Sequence, residues 1–168
     1  VELQKVKANR QTQKKRRERN NIPVISLAGY TNAGKSSLFN RLCTQFSKHG
    51  TAQVEADNRL FQTLDTTTRK LKLPSGREVL LSDSVGFIQN LPHHLVAAFS
   101  STLEEVAEAD LILQVIDVSH PHHLEQIEVV EKVLNDLGAD QEKIIKVFNK
   151  ADKLHVYPQE GIFISALT

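Results

Sequence analysis

The chain has 168 residues, 40% of them hydrophobic and 24% charged, with a formal net charge of +1. This supplies one domain with a substantial core and is too little for two of ordinary size. No apolar run approaches the ~20 residues of a membrane-spanning helix, no signal-like segment opens the chain, and a single cysteine excludes an internal disulfide framework, so a cytoplasmic setting is expected.

Residues 1–19 carry eight Lys/Arg and two Glu, a local +6 that leaves −5 for the remainder. The two parts are different materials. The first lacks Gly and Pro and loses apolar periodicity after Ala8, so residues 1–22 read as a solvated basic helix or arm at the end of an upstream region. It is either a charged linker or a nucleic-acid contact. The absence of Met adds the expectation that the chain is a fragment.

The apolar run 24–28 leads into Gly29, Tyr30, Thr31, Asn32, Ala33, Gly34, Lys35 and Ser36, the pattern G-x-x-x-x-G-K-[ST], and a helical pattern begins at Ser37 and ends near Phe46. Strand, glycine loop and helix in that order form a phosphate-binding loop: backbone N–H groups and the positive helix end hold polyphosphate oxygens, Lys35 reaches the outer phosphates, and Ser36 suits Mg²⁺. Cys43 falls on the apolar face of that helix as a packed thiol, which suits a reducing compartment.

Residues 47–58 are polar and aperiodic and read as a long loop. Residues 69–73 and 78–82 flank Pro74, Ser75 and Gly76, the pattern of a hairpin. Asp83, Ser84, Val85 and Gly86 follow directly, about fifty residues after the phosphate loop; the carboxylate can hold Mg²⁺ through water and the Gly86 N–H can meet a γ-phosphate.

Residues 92–108 have helical periodicity through Leu95, Phe99, Leu103 and Val106, and residues 111–116 form a continuous apolar run typical of a buried parallel strand. A further helix is expected over 124–137, with Ile127, Val130, Val133 and Leu134 on one stripe and Gly138 as its stop. Strands follow at 144–148 and 161–164. The alternation predicts a three-layer α/β/α domain over residues 23–168, built on a mostly parallel six-stranded sheet with ligands at the carboxyl ends of its strands. One sheet face would lack a helix after Thr168, so a C-terminal helix is expected to be missing. The triplet His120, His122 and His123 lacks the ligand spacing of a metal site and reads as a solvated loop; His93 and His94 read as helix-capping or solvent-facing.

Asn149, Lys150, Ala151 and Asp152 close the strand 144–148. A carboxylate at Asp152 accepts from N1–H and the N2 amine of guanine, whereas adenine offers neither donor there and would leave the carboxylate desolvated. Discrimination of this kind reaches ~10⁴-fold, so GTP and GDP are the expected ligands. Asn149 would tie the base loop to the phosphate loop, Lys150 would lay its stem over the base, and the Ala166 N–H, between Ser165 and Leu167, would meet guanine O6.

These elements in this order resemble the translation-factor class of GTPases. The words between them, from Leu60, Phe61, Gln62, Thr63, Leu64 and Asp65 through Arg69, from Asp83 to Pro92, and from Leu95 to Glu104, look like the HflX family of ribosome-associated GTPases. The resemblance runs from about Lys14 to Thr168. It implies that Thr63 is the switch I threonine that closes on Mg²⁺ and the γ-phosphate, a choice spacing alone does not make among Thr63, Thr66, Thr67 and Thr68. The metal set is then Ser36, Thr63 and Asp83, and the catalytic set Lys35, Thr63 and Gly86. The chain departs from the family pattern at Gln62, where Ala is usual, and in a longer loop at 47–58.

Phe87 occupies the position where Ras-like GTPases carry a Gln that orients the attacking water, so slow intrinsic hydrolysis and a partner-dependent switch are expected. Asn32 occupies the position at which potassium-activated GTPases bind K⁺, unless it serves turn geometry alone. A monomer is expected, and the resemblance further implies that it binds the large ribosomal subunit and its rRNA and acts in splitting or rescuing stalled ribosomes. The alternative is a small GTPase module that acts on a non-ribosomal protein or an RNA-processing partner.

Overall fold

A computed structural model describes residues 22–46, 67–84, 86, 103–154 and 161–167. The strands are β1 (Val24–Ala28), β2 (Thr67–Lys72), β3 (Glu78–Asp83), β4 (Leu111–Asp117), β5 (Ile144–Asn149) and β6 (Ile162–Phe163). The helices are α1 (Lys35–Phe46) and α2 (His123–Asp136), and residues 103–107 are also helical. The basic arm, the 47–66 segment with Phe61, Gln62, Thr63, Leu64 and Asp65, and Val85, Phe87, His93 and His94 lie outside the described residues.

The strands form one sheet in the order β2-β3-β1-β4-β5-β6, in which β2–β3 is antiparallel and the other pairs are parallel. Apolar side chains at alternate positions of each strand face opposite sides of the sheet, so two cores form. One is closed by α1 through Leu38, Phe39 and Cys43 against Leu27, Leu71, Val79, Leu81 and Val115. The other is closed by Leu103 and Val106 and by Val130 and Leu134 of α2 against Ala28 and Ile112. A fully buried side chain of this kind contributes about 1.5–3 kcal/mol.

The expected strands and helices that fall on described residues are present with shifted ends; of the helix expected over 92–108, residues 92–102 lie outside the described residues. Strand β2 begins at Thr67, two residues before the apolar pattern, because Thr67 and Thr68 continue the ladder opposite Asp83 and Ser82, with the Thr68 hydroxyl 3.3 Å from that of Ser82. Across the same ladder Lys70 and Glu78 form a 2.6 Å ion pair. Helix α2 ends where Gly138 adopts φ 75°, and the Ala139 and Gly138 N–H groups donate to Leu134 O and Asn135 O, closing the last turn. The last strand is shorter than expected, although the Ile164 N–H still donates to Phe148 O.

Strand β1 has β3 on one side and β4 on the other, so the chain crosses in opposite directions from its carboxyl end. That is the topological switch point, where an open α/β sheet leaves its crevice. The next residue is Gly29.

Candidate functional site: a nucleotide crevice at the carboxyl ends of β1, β3, β4 and β5

Residues 29–34 turn sharply between β1 and α1, with Asn32 at φ 62° and Gly34 at φ 94°. Gly34 O accepts from Leu38 N at 2.9 Å, so α1 starts with its free N–H groups at the loop, and a helix start of this kind favours an anion. A Cβ on Gly34 would lie 2.2 Å from the Asn149 amide nitrogen, so the position admits only glycine.

Lys35 is 6% exposed, and its ammonium donates to Gly29 O at 3.1 Å and Tyr30 O at 3.0 Å, which folds it back across the loop. Burial lowers its pKa to about 8, while the carboxylate of Asp83 works in the opposite direction. A bound polyphosphate would supply the charge this lysine is built to meet.

Strand β3 delivers Asp83, fully buried, to the same crevice, and the Ser36 hydroxyl donates to its Oδ2 at 2.8 Å. Ser84 is fastened beside it by a 2.6 Å hydrogen bond from its hydroxyl to Leu27 O. Gly86 then passes so close to the loop that a Cβ there would sit 2.9 Å from the Thr31 methyl and 3.1 Å from Lys35 Nζ. The expected Lys35, Ser36, Asp83 and Gly86 therefore meet in one place. Two hard oxygen donors beside a phosphate-binding loop fit Mg²⁺, which takes one or two protein oxygens and completes its shell with phosphate and water. Among the described residues no cluster of three or more His, Cys, Asp or Glu side chains can hold a metal, and His120, His122 and His123 instead engage one another and Glu125 at the start of α2.

The base loop begins at Asn149, 1% exposed, at the end of β5. Its amide donates to Ala33 O at 3.0 Å, the expected tie to the phosphate loop, and its Oδ1 accepts from Ala166 N at 3.0 Å. The second bond was not foreseen: the N–H expected to await guanine O6 already has a protein acceptor. Ser165 Oγ beside it is buried with no hydrogen-bond partner among the described residues. Lys150 adopts φ 61°, and Asp152 lies exposed on the one-turn 3₁₀ helix Ala151–Lys153. Ser37 is half-buried on α1 and Leu167 is exposed at the far rim.

Sequence reasoning missed Asp117 and Ser119. Asp117 Oδ2 lies 2.6 Å from Lys150 Nζ, and its Oδ1 accepts from the Ser119 hydroxyl at 2.6 Å and the Ser119 N–H at 3.1 Å. Burial disfavours this carboxylate, but the hydrogen bonds from Lys150 and Ser119 and the charge of Lys150 outweigh it, so the carboxyl titrates below its ordinary value. The signal is a lone acid at the carboxyl end of a strand whose other residues are apolar except Gln114.

The family described as 50S ribosome-binding GTPase matches residues 24–150, most of the chain. GTPase HflX of Caldanaerobacter subterraneus subsp. tengcongensis is 53% identical over 167 residues, covering 98% of this chain and 37% of the relative. The chain belongs to the HflX family of GTPases. GTPase HflX of Escherichia coli K12 is 43% identical over 152 residues, covering 90% of this HflX-family chain and 34% of that protein. The chain thus spans about a third of the length of the curated relatives it matches. Among solved structures, a GTP-binding protein of Sulfolobus solfataricus in complex with GDP superposes with a TM-score of 0.65 at 26% identity, covering 99% of the HflX-family chain and 54% of the other. Era of Aquifex aeolicus, at 22% identity and TM-score 0.65 over 87% of this chain and 52% of its own, shares the fold. Among the described residues no helix is long and apolar enough to cross a membrane.

Proposed function

We propose that this domain binds GTP and hydrolyses it to GDP and phosphate as a molecular switch that works on the large ribosomal subunit. The observation that carries the reading is the joining of two loops with different tasks. Lys35, Ser36, Asp83 and Gly86 converge where a β,γ-phosphate would lie, and Asn149 fastens that loop to the one bearing Asp152.

Water attacks the γ-phosphorus while the bond to the β,γ-bridging oxygen breaks, so the protein's task is positioning and charge. Lys35 meets the charge on the outer phosphates, and Gly86 leaves room for a phosphate oxygen beside it. Ser36, Asp83 and Thr63 would hold Mg²⁺, which neutralises charge on the β- and γ-oxygens when bound. Thr67 and Thr68 pair with Asp83 and Ser82 in the β2–β3 ladder, and this engagement favours Thr63 over them as the switch I ligand. Asp152, exposed and free to meet N1–H and N2, would select guanine.

The ribosomal partner rests on the family description and on the basic residues Lys14, Lys15, Arg16, Arg17 and Arg19, whose contacts with rRNA would weaken as salt rises. The test is GTP turnover by the full-length parent protein with and without large ribosomal subunits, paired with co-sedimentation in a non-hydrolysable GTP analogue. Stimulation and analogue-dependent co-sedimentation at low salt are expected. Neither would occur if the partner is a different protein or RNA.

A further inference from the structure

Strands β4 and β5 run in register to their last residues, so Asp117 stands beside Asn149, and Lys150 is the first residue past the ladder. The long Lys150 side chain then turns back across the gap. Its ammonium donates to Asp117 Oδ2 at 2.6 Å and to the backbone carbonyl of Asn32, in the phosphate loop, at 2.9 Å. Asp117 is 9% exposed and cannot swing away, because Ser119 occupies its other oxygen through both hydroxyl and N–H. The lysine stem is thereby stretched between three fixed points: its own left-handed backbone, the end of β4 and the phosphate loop.

A lysine has four rotatable side-chain bonds, and a solvated one would have to be ordered when a purine slid beneath it. Here the ammonium at its tip is held by Asp117 and by the Asn32 carbonyl. We propose that Asp117 is a positioning residue of the nucleotide site: it holds the Lys150 stem as a preformed apolar wall for the purine face and, through Lys150, pins Asn32 of the phosphate loop. This rests on the assignment of residues 149–152 to the base. The wall touches the ring face, which guanine and hypoxanthine share, whereas Asp152 addresses the edge, where they differ. Asp117 therefore governs how tightly a purine nucleotide is held and leaves untouched which purine is preferred.

The test uses the 168-residue chain and fluorescently labelled GDP displaced by GDP, inosine diphosphate or xanthosine diphosphate. Asp117→Asn keeps the shape, removes the charge, and should weaken GDP about tenfold, mainly through faster release, which is the order of effect for immobilising one long side chain. Inosine diphosphate should weaken by the same factor, so the preference for GDP over it stays constant. In a Lys150→Ala background Asp117→Asn should cause no further loss, since the group it positions is gone. Unchanged GDP affinity, a changed GDP-to-inosine ratio, or an equal loss in both backgrounds would overturn the proposal.

If Asp117→Asn does not fold, Ser119→Ala frees the second carboxylate oxygen and gives a milder version. A two- to threefold loss confined to the Lys150-containing background supports the proposal, and equal affinities or equal losses in both backgrounds overturn it. Asp152→Asn is the separate control on the base assignment, since failure to shift from GDP to xanthosine diphosphate sinks that reading whatever Asp117 does.

Discussion

Asn149 and Ala33, 116 positions apart in the chain, are joined by a buried 3.0 Å hydrogen bond from amide to carbonyl, and the same side chain accepts from Ala166 N on its other end. One amide thus fastens three loops: that of the phosphates, that of the base edge, and the last one of the chain. Replacing it by Ala leaves the buried Ala33 carbonyl and the partly buried Ala166 N–H without their partner. Asn149→Ala should cost about 2–4 kcal/mol of stability in the nucleotide-free domain, since each buried group left unsatisfied costs ~1–3 kcal/mol. Equilibrium denaturation reads this directly, and GDP affinity should fall with it. A loss below 0.5 kcal/mol, an order set by ordinary surface changes, would mean that the loops are held elsewhere.

Guanine selectivity is expected to reside in Asp152, which the structure leaves exposed at the mouth of the crevice. Asp152→Asn turns an acceptor of two N–H donors into an amide suited to xanthine. GTP affinity should drop by at least ~10²-fold and xanthosine triphosphate binding should appear, because an unpaired buried polar group discriminates strongly. Competition binding with the two nucleotides checks it, and equal GTP affinity in the two proteins would remove Asp152 from the site.

Ser36 and Thr63 should separate the two nucleotide states. Ser36 is already 2.8 Å from Asp83, so Ser36→Ala is expected to weaken Mg²⁺-dependent binding of GDP and GTP alike. Thr63→Ala should spare GDP and impair the GTP state alone. Titrating each nucleotide with and without Mg²⁺ gives the comparison, and the same split on Thr67→Ala would transfer the role to a residue of β2.

Asn32 offers a test of monovalent cations. Its φ of 62° is one that Asn tolerates better than most residues, and its carbonyl accepts from Lys150, so the turn accounts for its backbone. Its side chain is exposed. Hydrolysis should run faster in KCl than in NaCl at equal ionic strength, and Asn32→Ala should abolish the difference. Identical wild-type rates would leave turn geometry as the whole reason for this residue.

The strands and helices were legible because each kind of burial leaves its own period. The apolar run at 111–116 became β4, and the stripe Ile127, Val130 and Leu134 became the buried face of α2. Of the candidate site residues, Lys35, Ser36, Asp83, Gly86 and Asn149 are brought together by the fold in the way their motif spacing suggests. What escaped was pairwise and non-local. Nothing within a few residues of Asp117 indicates that its partner is Lys150, 33 positions away, and nothing near Ala166 indicates that Asn149 will take its N–H. The ends of β2 escaped for a related reason, since Thr67 and Thr68 are strand residues through their pairing with β3 and not through an apolar period of their own.

The turn at Pro74, Ser75 and Gly76 lies at the opposite end of the β2–β3 hairpin from the nucleotide crevice, yet it sets a length there. Strand β3 is clamped to β1, Leu27 opposite Asp83, so a residue added to or removed from the turn leaves Asp83 where it is. The whole adjustment falls on β2, whose rungs would advance by one, exchanging its inward and outward faces and moving Thr67 by about 3.4 Å along the sheet. The turn thus sets the register of β2 against the strand that carries Asp83, and with it where Thr67 and Thr68 stand, while β1 holds Asp83 itself in place.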